Sequence, residues 1–212
     1  MARQPELRRF AREHGLRIGT IADLIRYRLR TERSVERVAE RTVATAHGEF
    51  RLLAYQDHTH RDVHLALVRG DIDGATPPLV RVHLAETLRD LVGVREIPAR
   101  WTLDAALARV AREGHGVVVI LREQESPREL ADAVRGAGRA TAPVTATTES
   151  PEPAVAPVWR TYGIGAQILQ DLGVRRMRVL SSPKQMQGLS AFDLEVLEYI
   201  GPADAPGDVD AR

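Results

Sequence analysis

The chain has 212 residues, no cysteine, and 30 basic against 29 acidic side chains for a formal charge of +1. The missing cysteines exclude a disulfide scaffold, a cysteine nucleophile and any thiolate-held zinc or iron–sulfur centre, and the balanced charge argues against bulk nucleic-acid binding. No apolar run approaches the ~20 residues of a membrane span and the N-terminus lacks a signal-peptide core, so a cytoplasmic protein without membrane attachment is expected.

Pro5, Leu7, Phe10 and Ala11 fit a short helix that Gly15 stops. Leu16–Ile18 reads as a short strand. Thr20 then caps a second helix with Ile21, Leu24, Ile25 and Leu29 on its apolar side. Residues 30–40 are rich in arginine and glutamate, offer little core material, and read as a linker into the next strand. Phe50–Tyr55, Val63–Val68 and Leu79–Val82 are strands punctuated by Gly48, Gly70, Gly74 and Pro77-Pro78. Their closeness along the chain predicts an antiparallel meander.

Beyond Thr102 the rhythm changes to helix then strand. Thr102 caps a helix carrying Leu103, Ala106, Leu107 and Val110, which Gly114 and Gly116 end. Val117–Leu121 is an unbroken β-branched and leucine run, the pattern of a strand covered on both faces. Helices at about 127–134 and 162–172 and strands at 174–180 and 193–200 follow. The alternation predicts α/β (α+β) architecture, a mixed sheet with flanking helices. Pro143, Pro151, Pro153 and Pro157 break residues 138–157 into a long loop, and residues 201–212 read as a disordered Pro/Gly/Asp tail.

Several clusters have chemical potential. Asp57-His58-Thr59-His60-Arg61-Asp62-Val63-His64 is dense in metal-ligating types, but a polar hairpin turn is the better reading. His83 at a strand end and Glu86 just after it supply a nitrogen and an oxygen donor. Arg81, Arg95, Arg100 and Arg122 are candidates for an anion site, because guanidinium groups hold phosphate bidentately. Lys184, the sole lysine, follows a strand within Ser181-Ser182-Pro183-Lys184, a phosphate-holding pattern. Tyr162-Gly163-Ile164-Gly165 fails as a dinucleotide fingerprint, lacking both a preceding strand and the third glycine.

Three stretches in order resemble the bifunctional riboflavin-biosynthesis proteins, which fuse dihydroxybutanone phosphate synthase to GTP cyclohydrolase II. Met1–Leu7, Phe10-Ala11, His14–Leu16, Thr20–Ile25 and Tyr27-Arg28 resemble the last segment of the synthase. The strands between Gly48 and His83, with Leu65–Val68 and Gly70–Ile72, resemble the start of the cyclohydrolase, and Tyr162–Leu169 through Val174 its C-terminal helix. The resemblance implies a remnant of the synthase at 1–32, a linker at 33–42, a cyclohydrolase-like domain at 43–200 and a tail at 201–212. It also implies homodimers, GTP or a flavin precursor as ligand, and a synthase domain as an upstream partner.

The departures bear on activity. After the Val-His strand end the family carries Ser-Glu-Cys and then Arg-Cys-Asp-Cys-Gly, whose three thiolates hold a zinc that activates water on the guanine ring. This chain has His83-Leu84-Ala85-Glu86-Thr87 and no cysteine, leaving His83 and Glu86 as weak metal candidates, and no zinc or other cofactor is expected. The family's Arg-Gln-Glu-Gly-Arg-Gly-Ile-Gly loop is reduced to Arg122–Pro127, keeping Arg122 but losing the glycines. Its Asp-x-Arg pair becomes Val158-Trp159-Arg160, which keeps Arg160 as a residual catalytic candidate, and Arg81, Arg122 and Lys184 remain as substrate-binding candidates. The expected function is a riboflavin-related domain inactive toward GTP, with a structural, regulatory or dimerisation role. The alternatives are GTP hydrolysis through a non-cysteine metal site, and sensing of GTP or a flavin precursor.

Overall fold

The computed structural model describes residues 4–19, 24, 27–28, 31–58, 61–72, 76–94, 101–122, 125–136, 155–181 and 192–201. They fall into two compact units, residues 1–33 and 34–212.

In the first unit, helix α1 spans Gln4–Glu13. It ends as the sequence predicts: Gly15 takes a left-handed φ of 62°, and the amides of His14 and Leu16 donate back to Phe10 and Ala11. Leu16–Ile18 is not a strand. Leu16 and Ile18 are more than half exposed, and no strand pairs with so short a segment among the described residues. The helix expected from Thr20 falls largely outside the described residues.

The second unit is built on a seven-stranded mixed sheet in the order β1-β2-β3-β5-β4-β6-β7. The strands are β1 Val35–Thr45, β2 Gly48–Asp57, β3 Val63–Arg69, β4 Leu79–Leu84, β5 Gly116–Leu121, β6 Arg176–Leu180 and β7 Glu195–Ile200. Helices α2 Leu103–Glu113, α3 Pro127–Gly136 and α4 Val155–Asp171 accompany them, with one π-helical turn at Thr87–Leu91. This is the mixed sheet with flanking helices that the alternation predicts.

Two expectations fail. Most of the predicted linker at 33–42 is strand, because β1 runs from Val35 and pairs antiparallel with β2 along its length. A strand at a sheet edge needs only one partner and little burial. Glu36, Arg37, Glu40 and Arg41 are therefore tolerated where a core strand would reject them. The meander also stops at β3. β4 pairs parallel with β5 and β6, and β5 lies between β3 and β4. The fully apolar β5 takes the most enclosed place in the sheet, which separates two strands that are neighbours in sequence.

Helices cover both faces of β5. Val118 and Ile120 share a core with Ala106 and Val110 of α2 and with Trp101, Leu79 and Leu180. On the opposite face α4 comes so close that a Cβ on Gly165 would stand 3.2 Å from Val82 Cγ1 and 3.7 Å from Leu121 Cδ1. α2 is capped as expected: the Thr102 side chain accepts from the Ala105 amide at 3.1 Å, and Gly114 takes the left-handed φ of 80° at the other end. α4 starts at Val155 rather than at 162 as expected, and takes 155–157 out of the expected loop, because Pro157 falls in its first turn, where a missing N–H forfeits no helical bond. The rest of the long loop at 138–157 and the tail beyond Gly201 lie outside the described residues. No helix among the described residues is long and apolar enough to cross a membrane.

Candidate functional site

Parallel strands β4 and β5 end side by side, and crevices at the C-terminal ends of such strands are where open α/β sheets place their ligands. Alternation along β4 puts Arg81 and His83 on one face, opposite Val118 and Ile120 of β5. The π-helical turn Thr87–Leu91 follows β4 and brings back Arg89 and Asp90.

His83 is fully buried, and its Nε2 lies 2.8 Å from Asp90 Oδ2. Burial pushes the imidazole pKa down; the Asp90 carboxylate opposes this, while Arg89 and Arg81 reinforce it, and the net direction is down. His83 is therefore neutral at neutral pH. Next to an ionised carboxylate its proton sits on Nε2, which donates to Asp90, and Nδ1 is left buried without a hydrogen-bond partner among the described residues.

Burial would raise the Asp90 carboxyl. Hydrogen bonds from Arg89, from His83 and from the Glu86 amide outweigh it and bring the pKa down to about 2. Arg89 donates from Nε to Asp90 Oδ1 and from Nη2 to Asp90 Oδ2, both at 3.0 Å, and from Nη1 to Glu86 Oε2 at 2.8 Å. Its Nη2 also donates to the Leu84 carbonyl at 2.6 Å. The turn is closed from outside by Glu125, whose Oε1 accepts from the Thr87 amide at 2.9 Å.

Arg81, two residues before His83 on β4, is held by neighbouring backbone carbonyls. Its Nη1 donates to the Leu180 carbonyl at 2.9 Å, Nη2 reaches the Trp101 carbonyl at 3.5 Å, and Nε is buried without a partner among the described residues. Burial, and the Arg89 charge after it, lower its pKa, yet a guanidinium remains charged. Arg122 follows β5 and is exposed; its backbone amide donates to His64 Nδ1 at 3.1 Å. Thus the structure brings His83 and Glu86 into one network, with Arg81 on the same face of β4 as His83. Arg122 stands apart as a surface side chain. Arg160 lies within α4, but its side chain, like the whole of Lys184, falls outside the described residues, as do Arg95 and Arg100.

Of the Asp57–His64 segment, Asp57 ends β2 and Val63 and His64 open β3; the Asp57 amide donates to the Asp62 carbonyl, and Arg61 has a φ of 60°. His58 pairs with Glu36 at 2.9 Å. Among the described residues no group of three or more His, Cys, Asp or Glu side chains converges to hold a metal ion.

Arg89 and Asp90, the centre of the network, were missed from sequence. A signal existed: Glu86, Arg89 and Asp90 alternate in charge three and four residues apart, the spacing at which side chains meet on one helical turn. The same residues bear on the zinc that the resemblance implies. The chain has no thiolate, and the carboxylates of Glu86 and Asp90 at that place are bonded to a guanidinium. A fixed positive charge beside the donors repels a divalent cation, so these residues do not fit zinc.

Known proteins resemble this chain over most of its length. The profile of the GTP cyclohydrolase II family matches residues 36–201. A 3,4-dihydroxy-2-butanone 4-phosphate synthase of Pseudomonas syringae pv. tomato is 49% identical over 201 residues, covering 94% of this chain and 53% of the relative. The riboflavin biosynthesis protein RibBA of Mycobacterium tuberculosis is 44% identical over 211 residues, covering 94% of this chain and 48% of that protein. The crystal structure of RibBX, a two-domain 3,4-dihydroxy-2-butanone 4-phosphate synthase from A. baumannii, superposes with a TM-score of 0.63. It is 37% identical and covers 94% of this chain and 50% of that one. The chain thus spans about half the length of the curated relatives it matches. With its mixed sheet and the matched span from Glu36 to Gly201, the chain belongs to the GTP cyclohydrolase II family.

Proposed function

We propose that this domain does not open the guanine ring of GTP and instead serves as a structural, regulatory or dimerisation module for a dihydroxybutanone phosphate synthase. The observation that carries the reading is the Arg89 guanidinium, bonded to both Glu86 and Asp90 just beyond the strand end where the resemblance puts the first zinc thiolate. The family chemistry needs a Lewis acid there to make hydroxide at neutral pH. A guanidinium has no open coordination position and cannot bind water as a metal does.

The relatives support the second half of the reading. The Pseudomonas protein and the A. baumannii structure are named for the synthase reaction and are about twice as long as this chain. A domain retained beside a synthase, with its sheet intact and its metal donors replaced, fits an assembly role better than a second catalytic one. The protein would work in the cytoplasm, as a homodimer, without resident zinc.

The test is direct. Purified protein is incubated with GTP and added zinc, and formate and diphosphate are measured beside an active GTP cyclohydrolase II. No turnover above background is expected; zinc-dependent release of both products overturns the reading. Joining the chain to a synthase domain is expected to raise that domain's dimerisation or thermal stability, and no change in either would remove the assembly role.

A further inference from the structure

One guanidinium collects most of the negative charge at the end of β4. Arg89 reaches both oxygens of Asp90 at 3.0 Å, Glu86 Oε2 at 2.8 Å and the Leu84 carbonyl at 2.6 Å. The side chains of Arg89 and Asp90 are 18% and 11% exposed, so the pair is largely shielded from water. Two carboxylates and a carbonyl around one positive centre are the oxygen donors that a hard divalent cation takes. In this chain the centre is a side chain from the next turn.

We infer that Arg89 is a tethered cation: it performs the charge-neutralising and cross-linking work that a metal ion does in a structural site, and cannot dissociate. Its partners come from both sides of a junction. Leu84 ends β4, while Glu86 and Asp90 belong to the turn that folds over it. Asp90 passes the link on, accepting from His83 Nε2 and from the Glu86 amide at 2.9 Å. A cation joining strand end to turn fixes the backbone from Leu84 to Leu91. An ordinary exposed ion pair would not, since such pairs contribute little. The forked, two-oxygen grip on Asp90 also requires the planar guanidinium, which an ammonium cannot reproduce.

The inference deepens the reading of an inactive cyclohydrolase-like domain and rests on it only for the identification of this strand end with the family's zinc position. The experiment uses the full chain and compares Arg89→Gln, which removes the charge and shortens the side chain, with Arg89→Lys, which keeps charge and loses the fork. Thermal unfolding is measured together with amide hydrogen exchange across residues 84–92. Arg89→Gln is expected to lower Tm by about 6 °C or more, since breaking a shielded pair strands its carboxylates. It is also expected to speed exchange at the Glu86, Asp90 and Val92 amides while leaving β2 and β3 unchanged. Arg89→Lys should retain about half of the lost Tm.

Added methylguanidinium should restore protection in Arg89→Ala but not in Arg89→Ala with Asp90→Asn. Wild-type Tm in Arg89→Gln, equal damage from Gln and Lys, or an absent rescue each overturns the inference. If Arg89→Ala does not fold, the Gln and Lys variants decide alone. GTP turnover by the parent protein is scored separately and bears only on the proposed function, so the two failures are distinguishable.

Discussion

Replacing Asp90 by asparagine removes one carboxylate and keeps its shape, and the structure gives the size of the effect. The carboxyl is brought from its ordinary 3.8 down to about 2, against the opposing pull of burial, by hydrogen bonds from Arg89, His83 and the Glu86 amide. That displacement corresponds to about 2 kcal/mol of stability at neutral pH. The sign follows from the direction. A carboxylate held below its unfolded value stabilises the fold above about pH 5, and the contribution is lost as pH falls toward 2. About half remains at pH 3. Urea unfolding of the parent and Asp90→Asn at pH 7 should therefore differ by about 2 kcal/mol, and the gap should shrink to about 1 kcal/mol at pH 3. A gap that stays constant from pH 7 to pH 3 would refute the electrostatic argument and leave only altered packing.

Two further substitutions test the framework that positions this network. Gly116→Ala opens β5 with a Cβ that would stand 2.6 Å from the Leu79 carbonyl oxygen and 3.1 Å from Val110 Cγ1. Backbone has to move, so a loss of about 2 kcal/mol or more is expected in denaturant unfolding, and an unchanged midpoint would show that β4 and α2 yield freely. Thr102→Ala removes the oxygen that accepts from the Ala105 amide, with an expected loss of about 1 kcal/mol, checked by the same unfolding curve. Thr102→Ser should recover most of it.

Local chemistry was legible in the sequence wherever one residue decides the conformation. Thr102 and Gly114 bound a helix because one supplies a side-chain acceptor and the other tolerates a left-handed backbone. Val117–Leu121 announces a strand buried on both faces because no polar residue interrupts it. Long-range choices were not legible. Nothing local in Leu79–Leu84 tells that it joins β5 and β6 rather than β3, since a short apolar strand satisfies any neighbour. The charged run in β1 misled for a related reason: composition reports burial, and an edge strand is barely buried.

At the site, His83 and Glu86 were found because imidazole and carboxylate are conspicuous beside a strand end. Arg89 and Asp90 were passed over because their role depends on a π-helical turn that folds them back, and apolar periodicity does not signal such a turn. The absence of cysteine was the most informative count in the chain. Its physical counterpart is the Arg89 guanidinium at the end of β4.

The place of β5 has a consequence for how the chain assembles. β1, β2 and β3 are joined by short turns and can pair as soon as they are made, whereas β3 and β5 meet across a sequence gap of about fifty residues. β5 is also the strand through which the antiparallel half of the sheet reaches the parallel half. Until it pairs, β3 presents an open hydrogen-bonding edge to any passing chain. The late arrival of this one segment sets the interval during which a nascent molecule is most exposed to wrong pairing. Partial collapse should therefore leave a preformed three-stranded hairpin array waiting for its seam.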